Sequence, residues 1–210
     1  MNRIAENNQV TISGEIASGF NFSHELYGEK FYIVNVNVQR LSDASDTIPV
    51  TVSDRLVDVS KDYMGQFASV TGQFRSYNKQ DGEKKRLVLS VFAQEFDLLG
   101  EDVEINNGNH IFLDGYICKE PIYRKTPLGR EVADLLIAVN RPYGKSDYIP
   151  CICWGRNARY VSNLKVGERC AIWGRIQSRQ YIKKLDDEHN EERTAYEVSV
   201  SKLEVHEDEE

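Results

Sequence analysis

The chain has 210 residues, of which 40% are hydrophobic and 28% charged, an ordinary balance for a soluble globular protein with room for one large or two small domains. No apolar run approaches the roughly 20 residues of a membrane span, and Met1–Asn8 contains no apolar leader core, so a cytoplasmic protein is expected. The net charge of −7 is unevenly spread: residues 1–104 carry 10 Lys+Arg against 16 Asp+Glu, residues 105–202 carry 16 against 12, and Leu203–Glu210 adds five acids and no base. A locally basic segment keeps a polyanionic partner in play, because a binding face needs only local positive potential.

In chain order, the first half reads as strands over 10–16, 31–38, 46–53, 68–78 and 87–93, by β-branched content, length and alternation. A short helix is predicted over 55–63. A polar linker follows over Gly100–Asn109, and then the pattern returns. Val10–Ile16 matches Ile111–Ile117, Arg40 matches Arg141, and Asp46–Val50 matches Asp147–Cys151, all at an offset of 101. After one inserted residue, Gly65 matches Gly167 and Val70–Gly72 matches Ile172–Gly174; Leu89–Val91 aligns with Val198–Val200, behind a longer final hairpin. A constant offset over separated motifs marks an internal repeat.

The second copy accordingly reads as strands over 111–117, 132–139, 147–154, 169–182 and 195–202, with a helix over 156–163. Five strands with a helix between the third and fourth is the OB arrangement, a five-stranded Greek-key barrel. The expected fold is therefore all-β: two tandem OB barrels over 8–99 and 108–205, with an acidic end at 206–210. A β-sandwich is the alternative.

Alternation along Asp147–Trp154 sends Ile149, Cys151 and Cys153 into the barrel and Tyr148, Pro150, Ile152 and Trp154 outward. Outward aromatics offer planes on which bases can stack, unless a partner domain or the linker covers them. The matching outward set in the first copy is Thr47, Pro49, Thr51 and Ser53, so the platform is absent there and binding is expected mainly in the second copy. Cations stand near the platform in sequence. Arg124, Lys125 and Arg130 fall in the loop joining the first two strands, and Arg141, Tyr143 and Lys145 follow the second. Arg175 and Arg179 alternate along the fourth, and Tyr181, Lys183 and Lys184 enter the last hairpin. Cations for phosphates interleaved with planes for bases suit an unpaired nucleic-acid strand. Trp173 shares the face of Arg175 and serves either binding or domain packing.

No catalytic chemistry is legible. His24, His110, His189 and His206 are scattered, and none sits beside a Cys, Ser or paired carboxylate in a catalytic pattern, so an enzyme and a cofactor are not expected. Cys118, Cys151, Cys153 and Cys170 lack the paired spacing of a zinc site and lie in apolar strands as structural thiols. The acids at 186–188 and 191–192 read as a solvated hairpin tip rather than a cation site.

Residues 110–202 resemble the bacterial single-stranded DNA-binding protein family. The resemblance is carried by His110–Ile117, Val132–Val139, Tyr148–Gly155 and Val166–Tyr181; it reaches residues 8–99 only weakly, through the repeat. It implies bases stacked at Tyr143, Tyr148, Trp154 and Tyr181, and sequence-independent protection of DNA in replication, repair, recombination or mobile-element transfer. Members of that family end in a long disordered tail closed by Pro-Phe that recruits other enzymes; the present sequence stops at His206–Glu210, so recruitment by that route is not expected. Family members also form tetramers of single-barrel chains, so two barrels per chain imply a homodimer, or a first copy that acts as a built-in partner. The competing reading is a protein-interaction OB module of the replication or restart machinery with weak DNA contact, favoured by the acidic first half and opposed by the aromatic face of the second.

Overall fold

The structure is a computed structural model that describes residues 6–81, 84–100, 108–184 and 190–206. Among the described residues, twelve strands form one hydrogen-bonded network. The first six are β1 (Asn8–Ile16), β2 (Asn21–Leu26), β3 (Glu29–Gln39), β4 (Ser45–Ser53), β5 (Phe67–Asp81) and β6 (Lys84–Leu98). The second six are β7 (Asn109–Ile117), β8 (Ile122–Lys125), β9 (Glu131–Arg141), β10 (Lys145–Trp154), β11 (Arg169–Lys184) and β12 (Asn190–Val205), with α1 (Arg156–Val161) between β10 and β11. Among the described residues no helix is long and apolar enough to cross a membrane.

Both halves follow one all-β, OB-type pairing scheme. β1 leaves β3 at Glu15–Asn37 to pair with β5, as β7 leaves β9 at Tyr116–Ala138 to pair with β11. β4 lies parallel to β6 and β10 parallel to β12. The repeated glycines mark the tight crossings: a Cβ on Gly14 or Gly115 would strike the carbonyl oxygen of Asn37 or Ala138, and one on Gly72 or Gly174 that of Phe92 or Ser199. Alternation fills each interior as the pattern requires, with Ile48, Val50 and Val52 in the first and Ile149, Cys151 and Cys153 in the second buried.

Four expectations are corrected. Residues 55–63 form turns rather than a helix, because Asp58 accepts hydrogen bonds from the Ser60 amide (3.2 Å) and hydroxyl (2.6 Å), and Val57 and Val59 are β-branched. The matching segment Arg-Asn-Ala-Arg-Tyr-Val has no Asp and Ser pair of that kind and forms α1, burying Ala158 and Val161. Each half also gains a sixth strand, β2 or β8, so Arg124 and Lys125 sit on a strand and not in a loop. Finally, the last strands align two residues away from the sequence match. Val50 is level with Val91 and Cys151 with Val198, which equates Val91 with Val198 and Phe92 with Ser199.

The halves join through β1 and β7, antiparallel with Asn8 opposite Leu113, Val10 opposite Ile111 and Ile12 opposite Asn109. Val10 and Ile111 are repeat equivalents, so a pseudo-twofold axis passes between them. Asn8 uses its amide to accept from the Phe74 N–H and donate to the Phe74 carbonyl (both 2.8 Å), and Asn109 does the same to Ile176 at 2.8 and 2.7 Å. These amides satisfy backbone groups of β5 and β11 where the ladders to β1 and β7 end. The linker over 101–107, the acids over 185–189 and residues 207–210 lie outside the described residues.

Candidate nucleic-acid interface

Beyond Phe74 and Ile176, β5 and β11 run across the axis onto the opposite half. There Asp147 Oδ1 accepts from the Ser76 N–H (2.7 Å), and the Tyr148 N–H donates to Ser76 Oγ (2.8 Å). In the mirrored junction Asp46 Oδ1 accepts from the Ser178 N–H (2.7 Å) and from its hydroxyl (3.1 Å). Asp46 and Asp147 are fully buried. Each has two arginines beside it. Arg40 makes two hydrogen bonds to Asp46 (2.6 and 2.7 Å) while Arg175 approaches to 3.4 Å. Arg141 stands 3.3 Å from Asp147 without hydrogen-bond alignment, leaving Arg141 Nε and Asp147 Oδ2 buried and without hydrogen-bond partners, and Arg75 lies nearby.

The two aspartates respond oppositely. Burial raises both, but at Asp46 the Arg40 and Ser178 hydrogen bonds outweigh it and hold the carboxyl below its ordinary pKa. At Asp147 burial prevails over the Ser76 bond and the Arg141 and Arg75 charges, and the carboxyl rises. Arg75 and Arg175 are lowered, first by burial and then by the neighbouring guanidinium of Arg141 or Arg40. Two guanidiniums around one carboxylate leave each junction with net positive charge.

The aromatic set predicted from sequence is displayed outward. Tyr148 is 43% exposed and Trp154 40%, whereas Ile152 between them is buried and Pro150 half-buried. Trp154 is opposite Val132, and Val132 opposite Arg124, so Arg124 shares the outer face of Trp154. Arg124 is held there by a double contact to Asp134 at 3.0 and 3.3 Å. Tyr143 stands out at 99% exposure in a left-handed backbone conformation (φ 62°) at the tip between β9 and β10. Tyr181 shares a hollow of about 470 Å³ with Pro150 and Tyr196 from its own half and Tyr77 and Arg86 from the other. The sequence reading missed Tyr77 and Arg86, since only the crossing of β5 and β6 brings them here.

Lys125, Arg130, Lys145 and Arg179 are exposed and Lys183 is half-buried; the side chain of Lys184 lies outside the described residues. Arg141 and Arg175 sit at the junctions, beside Asp147 and Asp46, and not on the outer face of Tyr148 and Trp154. Trp173 is apart from Tyr148 and Trp154: its ring centroid is 5.1 Å from that of Phe112, Lys202 Nζ lies 4.6 Å over it, and it lines a separate hollow with Gln9, Thr11 and His110. The cysteines are free; burial pushes Cys153 and Cys170 up to about 12 and Cys151 well up, so these three are unreactive core thiols, while Cys118 donates to the Leu136 carbonyl at 3.1 Å.

Known proteins are similar to this chain in sequence and in fold. Residues 108–206 match the model of the single-strand binding protein family. An 80-residue stretch is 39% identical to the single-stranded DNA-binding protein of Halalkalibacterium halodurans, covering 35% of this chain and 48% of that protein. The same identity over 80 residues holds for single-stranded DNA-binding protein A of Bacillus subtilis, covering 35% and 46%. The chain thus spans about half the length of the curated relatives it matches. The solved wild-type single-stranded DNA binding protein from Thermus aquaticus superposes with a TM-score of 0.75 at 22% identity over 95% of this chain and 93% of that one, a likeness of fold extending across both halves. Residues 108–206 are thus similar to the single-strand binding protein family, and the likeness of fold extends over both halves.

Proposed function

We propose that the chain is a pair of tandem OB barrels, 8–99 and 108–205, that binds single-stranded DNA without sequence preference and without catalysing a reaction. The observation that carries this reading is the pair of outward rings on β10, Tyr148 and Trp154, each about two-fifths exposed on a strand whose Ile149, Cys151, Ile152 and Cys153 are buried. Each ring offers a face for a base, with stacking contributing about 1–3 kcal/mol irrespective of base identity. Tyr143 and Tyr181 extend the row. Lys125, Arg130, Lys145, Arg179, Lys183 and Lys184 supply phosphate contacts, which release counterions and make binding weaken with salt. Arg124, Arg141 and Arg175 add positive potential while already engaged by carboxylates, and Trp173 plays a packing part. The setting is protection of exposed strands in the cytoplasm during replication, repair, recombination or mobile-element transfer, by a homodimer of the chain.

The test is a titration with fluorescent oligo-dT and with a duplex of equal length at two salt concentrations. Strong, salt-weakened binding of oligo-dT and poor binding of duplex is expected. Equal affinity for both would remove the stacking mechanism.

A further inference from the structure

The acidic half carries a groove whose described lining holds no acid. A hollow of about 640 Å³ on the outer face of β2–β6 is lined by Phe22, His24, Tyr77 and Phe92, with Arg75, Lys79 and Arg141 among its walls and, among the described residues, no Asp or Glu. Its aromatics are interlocked. Phe31 stacks on His24 (4.9 Å, 11° between planes) and leans on Phe92 (5.6 Å), and the Arg75 guanidinium lies 4.0 Å over the Phe92 ring.

Position by position, this face inverts the second half. Phe92 stands where the second half has Ser199, Arg75 where it has Gln177, and Ile33 where it has Asp134. Ser90 stands where it has Glu197, which is buried there against Gln177. The first half thus lacks aromatics on β4, yet it gains one on β6 and loses two acids. Arg75 and Arg141 line the same groove, Arg75 donating to Gln73 (2.9 and 3.3 Å) and Arg141 standing beside the poorly aligned Asp147, so that like charges repel there. An anion at that point would relieve their repulsion. The groove is also continuous with the second half, since Ile33, Tyr77 and Ser90 line both it and the hollow that contains Tyr181.

We propose that this groove binds a second stretch of the same DNA strand, with bases against Phe92, Phe22 and Tyr77 and a phosphate between Arg75 and Arg141. The strand passes between halves over Tyr77 and Tyr181. This rests on the reading of the second half as a single-stranded DNA site. The charge of the groove, not that of the half that carries it, decides what it holds.

The test uses the full chain. Oligo-dT carrying 5-iodouracil at single positions is photocrosslinked and the attached peptides are mapped; poly(dT) titration gives the occluded length. Two variants place in the groove what the second half has at the same positions, Phe92→Ser and Arg75→Gln, and Lys79→Glu alters an exposed position with melting curves as the check on folding. Crosslinks to β2, β5 or β6 as well as to β10 are expected, each barrel covering ~4–16 nucleotides. The Phe92→Ser/Arg75→Gln double variant should lose roughly half the occluded length and about ten-fold in poly(dT) affinity, and Lys79→Glu should weaken binding without changing its melting curve. Crosslinks confined to 109–205 with the occluded length unchanged in all variants would overturn the proposal and leave the groove to a protein segment. Failure of the unaltered chain to bind any oligo-dT would overturn the reading it rests on.

Discussion

Residues 8–98 and 109–205 close on themselves with the same strand pairings, and both junctions use an aspartate, a serine amide and two arginines. Their outer faces share almost nothing. The second half displays rings on β10 and keeps Asp134 and Glu197 on that face; in the first, Thr47 is exposed on β4 while Thr51 and Ser53, expected outward, are buried against Ser90 and Glu29, rings stand on β3 and β6, and Ile33 and Ser90 replace the acids. The difference separates two layers of constraint. Residues that meet a backbone or a core are repeated, because their geometry permits little else. Residues that meet solvent have been reassigned strand by strand, so net charge of a half is a poor guide to the charge of its face.

The junctions give the largest expected contrast. Asp46→Asn should cost about 1.5–3 kcal/mol, the range for hydrogen bonds to charged groups, since it breaks the Arg40 Nε–Oδ2 bond and weakens those that Oδ1 accepts from Arg40 Nη2 and the Ser178 amide. Asp147→Asn should cost much less, because Asp147 carries its charge against the preference of its surroundings. The two differ in sign with pH. A lowered pKa makes the Asp46 contribution complete above the ordinary carboxylate range and lost as pH falls through its folded value. A raised pKa makes ionised Asp147 a burden at neutral pH, one that lifts as pH falls through its folded value. Denaturant melts of both variants at pH 7 and near pH 3 should therefore show a gap that narrows in acid. An equal loss at both pH values would mean that the junctions are equivalent.

Face contrasts come next. Tyr148→Ala and Trp154→Ala should each weaken oligo-dT binding by about 1–3 kcal/mol, while Thr47→Ala and Ser53→Ala, at the matching places, leave it nearly unchanged. Titrations beside denaturant melts separate affinity from stability; lost stability with intact affinity would mean that the rings pack against protein. Cys151→Ser, one position along and facing inward, should instead lower stability by about 1–3 kcal/mol by placing a hydroxyl in the core, with little change in intrinsic affinity. The smallest effect is expected at Arg124→Gln. Its guanidinium is already engaged by exposed Asp134, an arrangement worth only about 0.2–1 kcal/mol, so oligo-dT affinity should fall less than for Lys145→Gln at the exposed start of β10.

The fold was legible where alternation and the repeat agreed. The buried sets on β4 and β10 and the outward Tyr148 and Trp154 follow from period-two reasoning, and the repeat pairs Gly65 with Gly167, both left-handed in the structure (φ 81° and 95°). It failed where local chemistry competes with pattern. Asp58 and Ser60 turn a helix-length segment into turns, and Asn21–Leu26 is exposed at every position, so no alternation announces β2. The groove of the first half was hidden for a different reason. Comparing β4 with β10 asks whether the same strand carries the same rings, and Phe92 sits on another strand, behind a hairpin whose length difference obscured its partner Ser199. Arg141 and Arg175 were read as neighbours of their own half's platform because nothing in the linear order shows β5 and β11 crossing the axis.

The β1–β7 pairing places two repeat-equivalent strands on either side of an axis, as a symmetric dimer would, but within one polypeptide. In a symmetric dimer every substitution is made twice, and a change that helps one face burdens its twin at once. Here each copy is inherited separately. Duplication and fusion of one ancestral barrel would free the two faces from each other while the backbone pairing, indifferent to side chains, continued to hold them in register. Phe92 opposite Ser199, and aligned Asp46 opposite misaligned Asp147, are differences that only such a released symmetry can accumulate.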